Sequence, residues 1–419
     1  MKCKRSSSSP PSSPSSPYNT RFNISPPSPF TLIKTNSDLN DLRKGYKCPK
    51  TKSLKELGLN DQYVEVEEVK VEEIIVKIDD MLKKMKDCIN VRIENYSYEI
   101  PSRAAKYQVY LKDVDRFALK RRLVTYQFKD ENRKVTKRSK ILEHTLKVIR
   151  RYCVSRKFVL KRSIYYSDKN LYKSEETVDD VLGDICCMFG CSRASLYVEA
   201  SGKGRVAGNL KYNFHGSQSD CAKNVLLIHR ELVDGISDMR SDANLIIVVE
   251  KICVFEELRN SKIYETFPCI IITGSGQPDI DTRLLVKKLS TSLNLPVVGL
   301  MDCDPYGFKI MSVYSYGSQS MSFDGYRLTT LGMQWLGLRP SDVESYSVKS
   351  ELMGEEDIKF AEKLLDQAFV KNNEKWVKEL SDMVKMKQKS DIQALAQSFR
   401  IEYLMNSYLP RKLQHKDWF

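Results

Sequence analysis

No stretch of this 419-residue chain approaches the roughly 18 uninterrupted apolar residues that cross a bilayer, and the N-terminus lacks the apolar core of a secretory signal. A soluble, intracellular protein without membrane contact is expected. Histidine is scarce: His144, His215, His229 and His415 are the four, and no Ser or Cys sits beside one of them or in a glycine-rich elbow, so a hydrolase-type nucleophile has no support. The chain has no Gly-x-x-x-x-Gly-Lys phosphate loop, which places any ATP hydrolysis of that kind on another polypeptide. Eleven cysteines, an odd number, lack paired spacing, and Cys186, Cys187 and Cys191 fit no zinc pattern. Free thiols in a reducing compartment follow. Acid is outnumbered, 54 Asp plus Glu against 68 Lys plus Arg, and the net charge of +14 favours a polyanionic partner.

The first 30 residues hold ten Ser and seven Pro, a composition that cannot bury enough apolar surface to offset the entropy of ordering; residues 1–57 read as a disordered tail. Residues 58–139 read as a helical and linker segment. Within it Val66, Val69, Val71, Ile74, Ile75, Ile78 and Leu82 predict an amphipathic packing or dimerisation helix from Val64 to Leu82. Between Ile100 and Ser139 charges and aromatics alternate, and Arg121, Arg122, Arg133, Lys134, Lys137 and Arg138 form basic clusters suited to a solvated linker, a phosphate contact or a nuclear-import signal.

Helical spacing returns at Leu142, Leu146, Ile149 and Cys153, and again at Val178, Val181, Leu182, Ile185 and Phe189. Leu196–Ala200 and Val206–Leu210 then read as strands of a hairpin tipped by Ser201-Gly202-Lys203-Gly204. Helices followed by a basic-tipped hairpin suggest a winged helix-turn-helix over residues 140–215, with one helix for the major groove and a wing for the backbone. From residue 240 onward the texture changes. Buried-strand runs at Leu245–Val249, Cys269–Thr273 and Pro296–Met301 alternate with helix-length segments and predict an α/β parallel sheet, followed by helices from Asp357 to Leu409.

Two of those strands end directly in acid: Val249 runs into Glu250, and Met301 runs into Asp302-Cys303-Asp304. Ligands bind at the carboxyl ends of strands in such sheets. If the two strands are neighbours, three carboxylates converge on an oxygen-rich site of the kind that suits Mg²⁺ and phosphate. Acids at strand ends also cap helices or solvate loops, but the pairing of Asp-x-Asp with a strand glutamate favours the metal. Pro305 and Gly307 add a defined turn where Asp304 must be aimed. The nucleophile is less marked. Lys161-Arg162-Ser-Ile-Tyr165-Tyr166 places a tyrosine within one turn of a guanidinium, yet the chain has 22 tyrosines and spacing alone leaves Tyr166 one candidate among them.

Together these segments resemble the A subunit of topoisomerase VI and its relatives, the meiotic transesterases that make programmed double-strand breaks, over residues 100–419. The resemblance implies an α/β multidomain fold: a CAP-like winged helix-turn-helix domain, then a Toprim domain at 240–419 with a helical C-terminal part. It assigns the attacking hydroxyl to Tyr166, support to Arg162, metal binding to Glu250, Asp302 and Asp304, and DNA contact to Lys203 and Arg193. Mg²⁺ is the implied cofactor. The implied partners are double-stranded DNA, a second copy of the chain and an ATPase B subunit, in an A₂B₂ assembly acting in the nucleus. Ile100-Pro-Ser-Arg-Ala-Ala105, Gly337-Leu-Arg-Pro-Ser-Asp342 and Lys412-Leu-Gln-His-Lys-Asp-Trp418 look more like the plant topoisomerase VI A subunit, whereas Met301–Phe308 is also like the meiotic branch. Three positions depart from the family pattern: Ser163 where an acid is usual, Glu175 where glutamine is common, and Ser275 where lysine is frequent. A catalytically idle DNA-binding scaffold and a Mg²⁺-dependent nuclease or primase are the rival readings. Neither requires Tyr166 together with all three acids.

Overall fold

The computed structural model describes residues 29–90, 97–129, 134–395 and 403–419. Helix α1 (Pro29–Gly45) lies inside the stretch expected to be tail. Leu39 is fully buried in the core of the C-terminal half, Asn36 Nδ2 donates to Thr266 O at 2.8 Å, and Arg43 Nη2 donates to Ser241 O at 2.9 Å. The Ser/Pro-rich composition stops where this helix starts. Beyond it Leu39, Leu42 and Leu54 supply the apolar surface that holds the segment down, so the tail reading fails for residues 29–57. Residues 1–28 lie outside the described residues.

Strand β1 (Tyr63–Val64) precedes helix α2 (Val71–Asn90), which begins later than the spacing predicted. Val64 pairs with Leu119, and the Val66 N–H donates to Phe323 O at 3.0 Å. The period-two alternation of Val64 and Val66 is a strand signal that merges by eye into the helical pattern after it. The expected linker is also structured. Strand β2 (Ser97–Pro101), β3 (Gln108–Leu111), β4 (Arg116–Lys120) and β5 (Leu123–Gln127) form two antiparallel ladders, β2 with β5 and β3 with β4, the latter extended by β1. Its alternation of charge and aromatic is strand alternation, Tyr98 and Ile100 inward and Glu99 outward. The basic residues are partly structural: Arg121 donates to Asn60 O and Tyr63 O, and the Arg138 guanidinium lies 3.9 Å from the centre of the Tyr126 ring. Arg133 lies outside the described residues.

Helix α3 (Lys137–Ser155) is capped by Thr136, whose hydroxyl accepts the Ser139 N–H at 3.1 Å. Strand β6 (Val159–Leu160), helix α4 (Lys161–Ser167), a single turn α5 (Lys169–Tyr172) and helix α6 (Glu175–Phe189) follow. One apolar core joins Ile74 and Ile78 of α2 and Ile100 of β2 to Leu146, Ile164, Leu182 and Ile185, so no boundary falls at residue 139.

The expected hairpin does not form. Strand β7 (Val198–Glu199) runs parallel to β6, whereas β8 (Arg205–Gly208) enters a different sheet. The turn residues between them instead lie on the C-terminal half. The Lys203 N–H donates to Asp279 Oδ2 at 3.4 Å, its ammonium reaches Ser275 O at 3.3 Å, and a Cβ on Gly204 would fall 2.2 Å from Thr282 Oγ1. Glycines that permit a tight turn equally permit this close approach.

After β9 (Lys211–Phe214), β10 (Ser217–Asp220), β11 (Leu226–Leu227), helix α7 (Arg230–Gly235) and β12 (Ser237–Arg240), the α/β layers begin. Strand β13 (Leu245–Val249), helices α8 (Ile252–Asn260) and α9 (Ile263–Thr266), β14 (Cys269–Thr273), α10 (Ile280–Leu293), β15 (Val297–Leu300), α11 (Pro305–Ser315) and β16 (Gln334–Gly337) build a six-stranded sheet of order β11-β8-β14-β13-β15-β16. The four strands from β14 to β16 are parallel; β8 adds antiparallel to β14 and β11 adds antiparallel to β8 at the edge, so the predicted parallel sheet is present with two strands from residues 205–227 added on one side. Strands β13 and β14 are buried at every position, as a sheet covered on both faces requires.

Two of the segments that resemble plant relatives meet in space. Arg339 and Lys412 share Asp342 and Asp417, the Lys412 ammonium lying 2.7 Å and 2.8 Å from them, and Tyr408 donates to Asp342 at 2.8 Å. Buried charges persist when paired and hydrogen-bonded in this way, and the network ties the C-terminus to β16. Among the described residues no helix is long and apolar enough to cross a membrane.

Leu39→Ala is expected to lower unfolding stability by about 2–5 kcal/mol in denaturant titration, the usual cost of emptying a fully buried leucine. Unchanged stability would return residues 29–57 to the status of a tail.

Candidate active site

Parallel register sets the acidic motif. Val249 of β13 is level with Leu300 of β15, and the Glu250 N–H donates to Leu300 O at 3.1 Å, so Glu250 leaves the sheet beside Met301 and Asp302. The Asp302 N–H then donates to Glu250 Oε2 at 3.0 Å. Asp304 caps α11: its Oδ1 accepts the Gly307 N–H at 2.6 Å, with Pro305 at the first helical position. A Cβ at Gly307 would lie 2.4 Å from Asp302 O and 3.0 Å from Glu250 Oε2, so glycine is required there.

These acids are removed from water. Burial, then the Asp302 carboxylate and, more weakly, that of Asp304, push the Glu250 carboxyl up to about 7; burial likewise raises Asp302 and Asp304. The structure brings Glu250 and the Asp302 backbone into hydrogen-bond contact, while Asp304 caps the next helix. Among the described residues, however, no three His, Cys, Asp or Glu groups are gathered into a ready-made metal cluster. Asp304 is turned toward its helix, and both oxygens of Asp302 are engaged: Oδ1 accepts the Ile392 N–H at 2.9 Å, and Oδ2 lies 2.7 Å from the Lys251 ammonium. The donor set, hard carboxylates beside a cleft of about 290 Å³ lined by Asp304, Lys349, Lys389 and Asp391, fits Mg²⁺ that keeps several waters better than a closed cage.

Tyr166 stands on α4, which is anchored by buried Ile164; its side chain is 51% exposed, while Tyr165 packs against the core. Arg162, one turn earlier, points Nη2 at the Tyr166 oxygen at 3.5 Å and pairs through Nε with Glu175 Oε1 at 3.1 Å. Glu175, then Tyr166, raise the guanidinium's affinity for its proton. The glutamate that departs from the family pattern thus holds Arg162 in place. The Lys169 ammonium lies 4.6 Å from the centre of the Tyr166 ring, a second cation beside the phenol that sequence spacing did not mark.

Arg193 and Lys203 differ. Arg193 is 13% exposed and ion-paired at 3.0 Å with Asp179, which also holds Lys161 at 2.7 Å; it is folded inward and fixes the start of α4. Lys203 is exposed on the strand-to-strand connection rather than at a hairpin tip. Lys251 stands in the sequence segment Val248-Val-Glu-Lys251 without a role of its own, and Asp391 has no mark in the sequence; nothing local connects Asp391 to the site, because antiparallel bridging of Cys303 with Ser390 brings it there.

Comparison with known proteins gives the family. A family model for the Toprim domain of the topoisomerase 6 A subunit and Spo11 matches residues 245–413, and one described as Type IIB DNA topoisomerase matches residues 137–198. The DNA topoisomerase 6 A subunit of Arabidopsis thaliana is 42% identical over 78% of this chain and 77% of its own length. The DNA topoisomerase 6 A3 subunit of Oryza sativa subsp. indica is 44% identical over 77% and 74%. Meiotic recombination protein SPO11 of Homo sapiens is 32% identical over 83% and 88%. With two models on its two halves and relatives of this identity over most of their length, the chain belongs to the family of type IIB DNA topoisomerases that comprises the topoisomerase 6 A subunit and Spo11.

Proposed function

We propose that this chain is the DNA-cleaving subunit of a type IIB topoisomerase, opening double-stranded DNA through a reversible 5′-phosphotyrosyl link on Tyr166. The observation that carries this is an exposed tyrosine with Arg162 one turn away, in a chain whose other half ends two adjacent buried strands in acid. A phenol is a weak nucleophile at neutral pH; Arg162 places positive charge beside the oxygen that must lose its proton, and Lys169 places a second cation over the ring. The tyrosine oxygen bonds to phosphorus as the 3′-oxygen of the neighbouring nucleotide leaves and takes up a proton. Reversal by that hydroxyl reseals the strand with no net loss of a phosphodiester.

Glu250, Asp302 and Asp304 would hold Mg²⁺. When bound it supplies positive charge to the phosphoryl oxygens as negative charge builds there. Arg162 stabilises the same charge from the tyrosine side. Helices α3, α4 and α6 with the β6–β7 pair support a winged-helix body that presents Tyr166 to the duplex. Lys203 contacts the DNA backbone, and Arg193 acts through Asp179 on Lys161 at the start of α4. The working unit is a homodimer in which Tyr166 of one copy meets the metal of the other, joined in the nucleus by an ATPase B subunit to give A₂B₂.

The meiotic transesterase is the second reading, favoured by the wider coverage of the human SPO11 match, 83% and 88% against 78% and 77% for the Arabidopsis topoisomerase. Identity supports the topoisomerase reading, at 42% against 32%.

Tyr166→Phe is expected to keep folding and DNA binding and to abolish covalent attachment to 5′ ends, measured by trapping protein on labelled duplex. Wild-type attachment would move the nucleophile, Tyr165 first. Glu250→Gln and Asp302→Asn should each cut Mg²⁺-dependent cleavage on the order of 100-fold, the scale of one lost electrostatic contact in the transition state; a metal dependence unaltered in both would remove the metal assignment. Relaxation of supercoiled DNA should require ATP and the B subunit from the same source. Failure of the two to form a complex, with expression confined to meiotic cells, would install the meiotic reading.

A further inference from the structure

Lys251 carries the one ammonium that touches a proposed metal ligand among the described residues, and it touches a second acid at the same time. Its Nζ lies 2.7 Å from Asp302 Oδ2 and 3.0 Å from Asp391 Oδ1. Asp302 is almost wholly buried, Lys251 is 27% exposed and Asp391 is 61% exposed, so the lysine spans from the interior of the site to its solvent edge. The segment that carries Asp391 is fixed against the motif: Cys303 and Ser390 exchange N–H···O bonds of 2.8 Å and 3.0 Å, and the Ile392 N–H binds the other oxygen of Asp302.

We propose that Lys251 is the internal counter-cation of the site and Asp391 its receiver, so that Mg²⁺ takes Asp302 as the ammonium withdraws onto Asp391. This rests on the assignment of Glu250, Asp302 and Asp304 to the metal. A carboxylate held out of water loses hydration, and an ammonium at hydrogen-bond distance offsets that loss until a divalent cation takes its place. Lysine suits this role, since a compact charge on a flexible four-carbon stem can shift between two acceptors already within reach. Mg²⁺ binds oxygen at about 2.0–2.1 Å and cannot share Asp302 Oδ2 with an ammonium at hydrogen-bond distance. Asp391 gives that ammonium a place to remain, at the solvent edge where its charge is hydrated. Both are positioning residues, and neither needs to touch DNA.

The test is calorimetric titration of Mg²⁺ into the full chain and four variants, without DNA or cleavage. Asp391→Asn should weaken Mg²⁺ binding roughly three- to tenfold, because the lysine then has only Asp302 to hold, the range being that of one partly exposed charge pair. Lys251→Met should tighten binding, and adding Asp391→Asn to Lys251→Met should change it little further. An Asp391→Asn variant that binds as the native chain does overturns the proposal. So does an equal loss from Asp391→Asn in the Lys251→Met background, which would make Asp391 a ligand or a general field effect. If Lys251→Met does not fold, Lys251→Gln takes its place in the same cycle. Asp302→Asn separates the two levels of argument: Mg²⁺ binding that survives it unchanged, or is missing from the native chain, removes the metal assignment and this proposal together, whereas loss of binding there with no effect at Asp391 removes this proposal alone.

Discussion

Carboxylates withdrawn from water at the ends of adjacent strands repel one another, and the C-terminal half is arranged around that repulsion. Glu250 carries it most visibly, its carboxyl pushed up to about 7 by burial and by Asp302. The surroundings answer with partial positive charge: backbone N–H groups of Asp302, Gly307 and Ile392, and the ammonium of Lys251. Each contact offsets part of the desolvation and none removes it, so under the proposed function an added cation would offset what remains. The sheet tolerates this because β13 and β14 are apolar at every position but the last of β14, so the strain of buried charge is confined to the strand ends.

The tyrosine side works by the opposite logic. Tyr166 and Arg162 lie at the surface, and their geometry is held by neighbours rather than by burial: Ile164 anchors the helix from beneath, Glu175 pins the guanidinium, and Asp179 gathers Lys161 and Arg193 at the helix start. Under the proposed function, an exposed tyrosine on a short helix is placed to meet a bulky polymer, and the acids at the strand ends are placed to hold a metal ion against its phosphate. Separate apolar cores carry the tyrosine and the acids. The connection through Lys203 and Gly204 packs directly on the Ser275–Asp279 loop, so the sheet that ends in the acids and the helices that carry Tyr166 meet through hydrogen bonds between side chains and backbone.

The acids at strand ends, the Asp-Pro-Tyr-Gly turn and the Arg162–Tyr166 spacing were legible in the sequence because each is local: a strand run into acid, a proline with a glycine, one helical turn. The three parallel strands were legible for the same reason, as continuous apolar runs of strand length. The misreadings also have local causes. Val64 and Val66 alternate as a strand does but adjoin a true helix; residues 97–127 are short strands whose polar faces imitate a linker; and Leu39 and Leu54 are too sparse to stand out after a Ser/Pro-rich stretch.

What tertiary structure alone decided is which residues are partners. Spacing placed Val198 and Val206 in one hairpin, but β7 pairs with β6 and β8 with β14, since strand pairing is settled by long-range hydrogen bonds and buried faces rather than by the turn between them. Arg193 carries a charge that suits DNA in the sequence and is folded onto Asp179 in the molecule. Asp391 has no local mark and reaches the site through the bridge of Ser390 to Cys303. The sequence by itself determined the chemistry available, a tyrosine, an arginine and three acids at the ends of buried strands, because identity and short-range spacing are local properties. Charge compensation and strand pairing depend on residues distant in the chain, and only the folded structure brings those together.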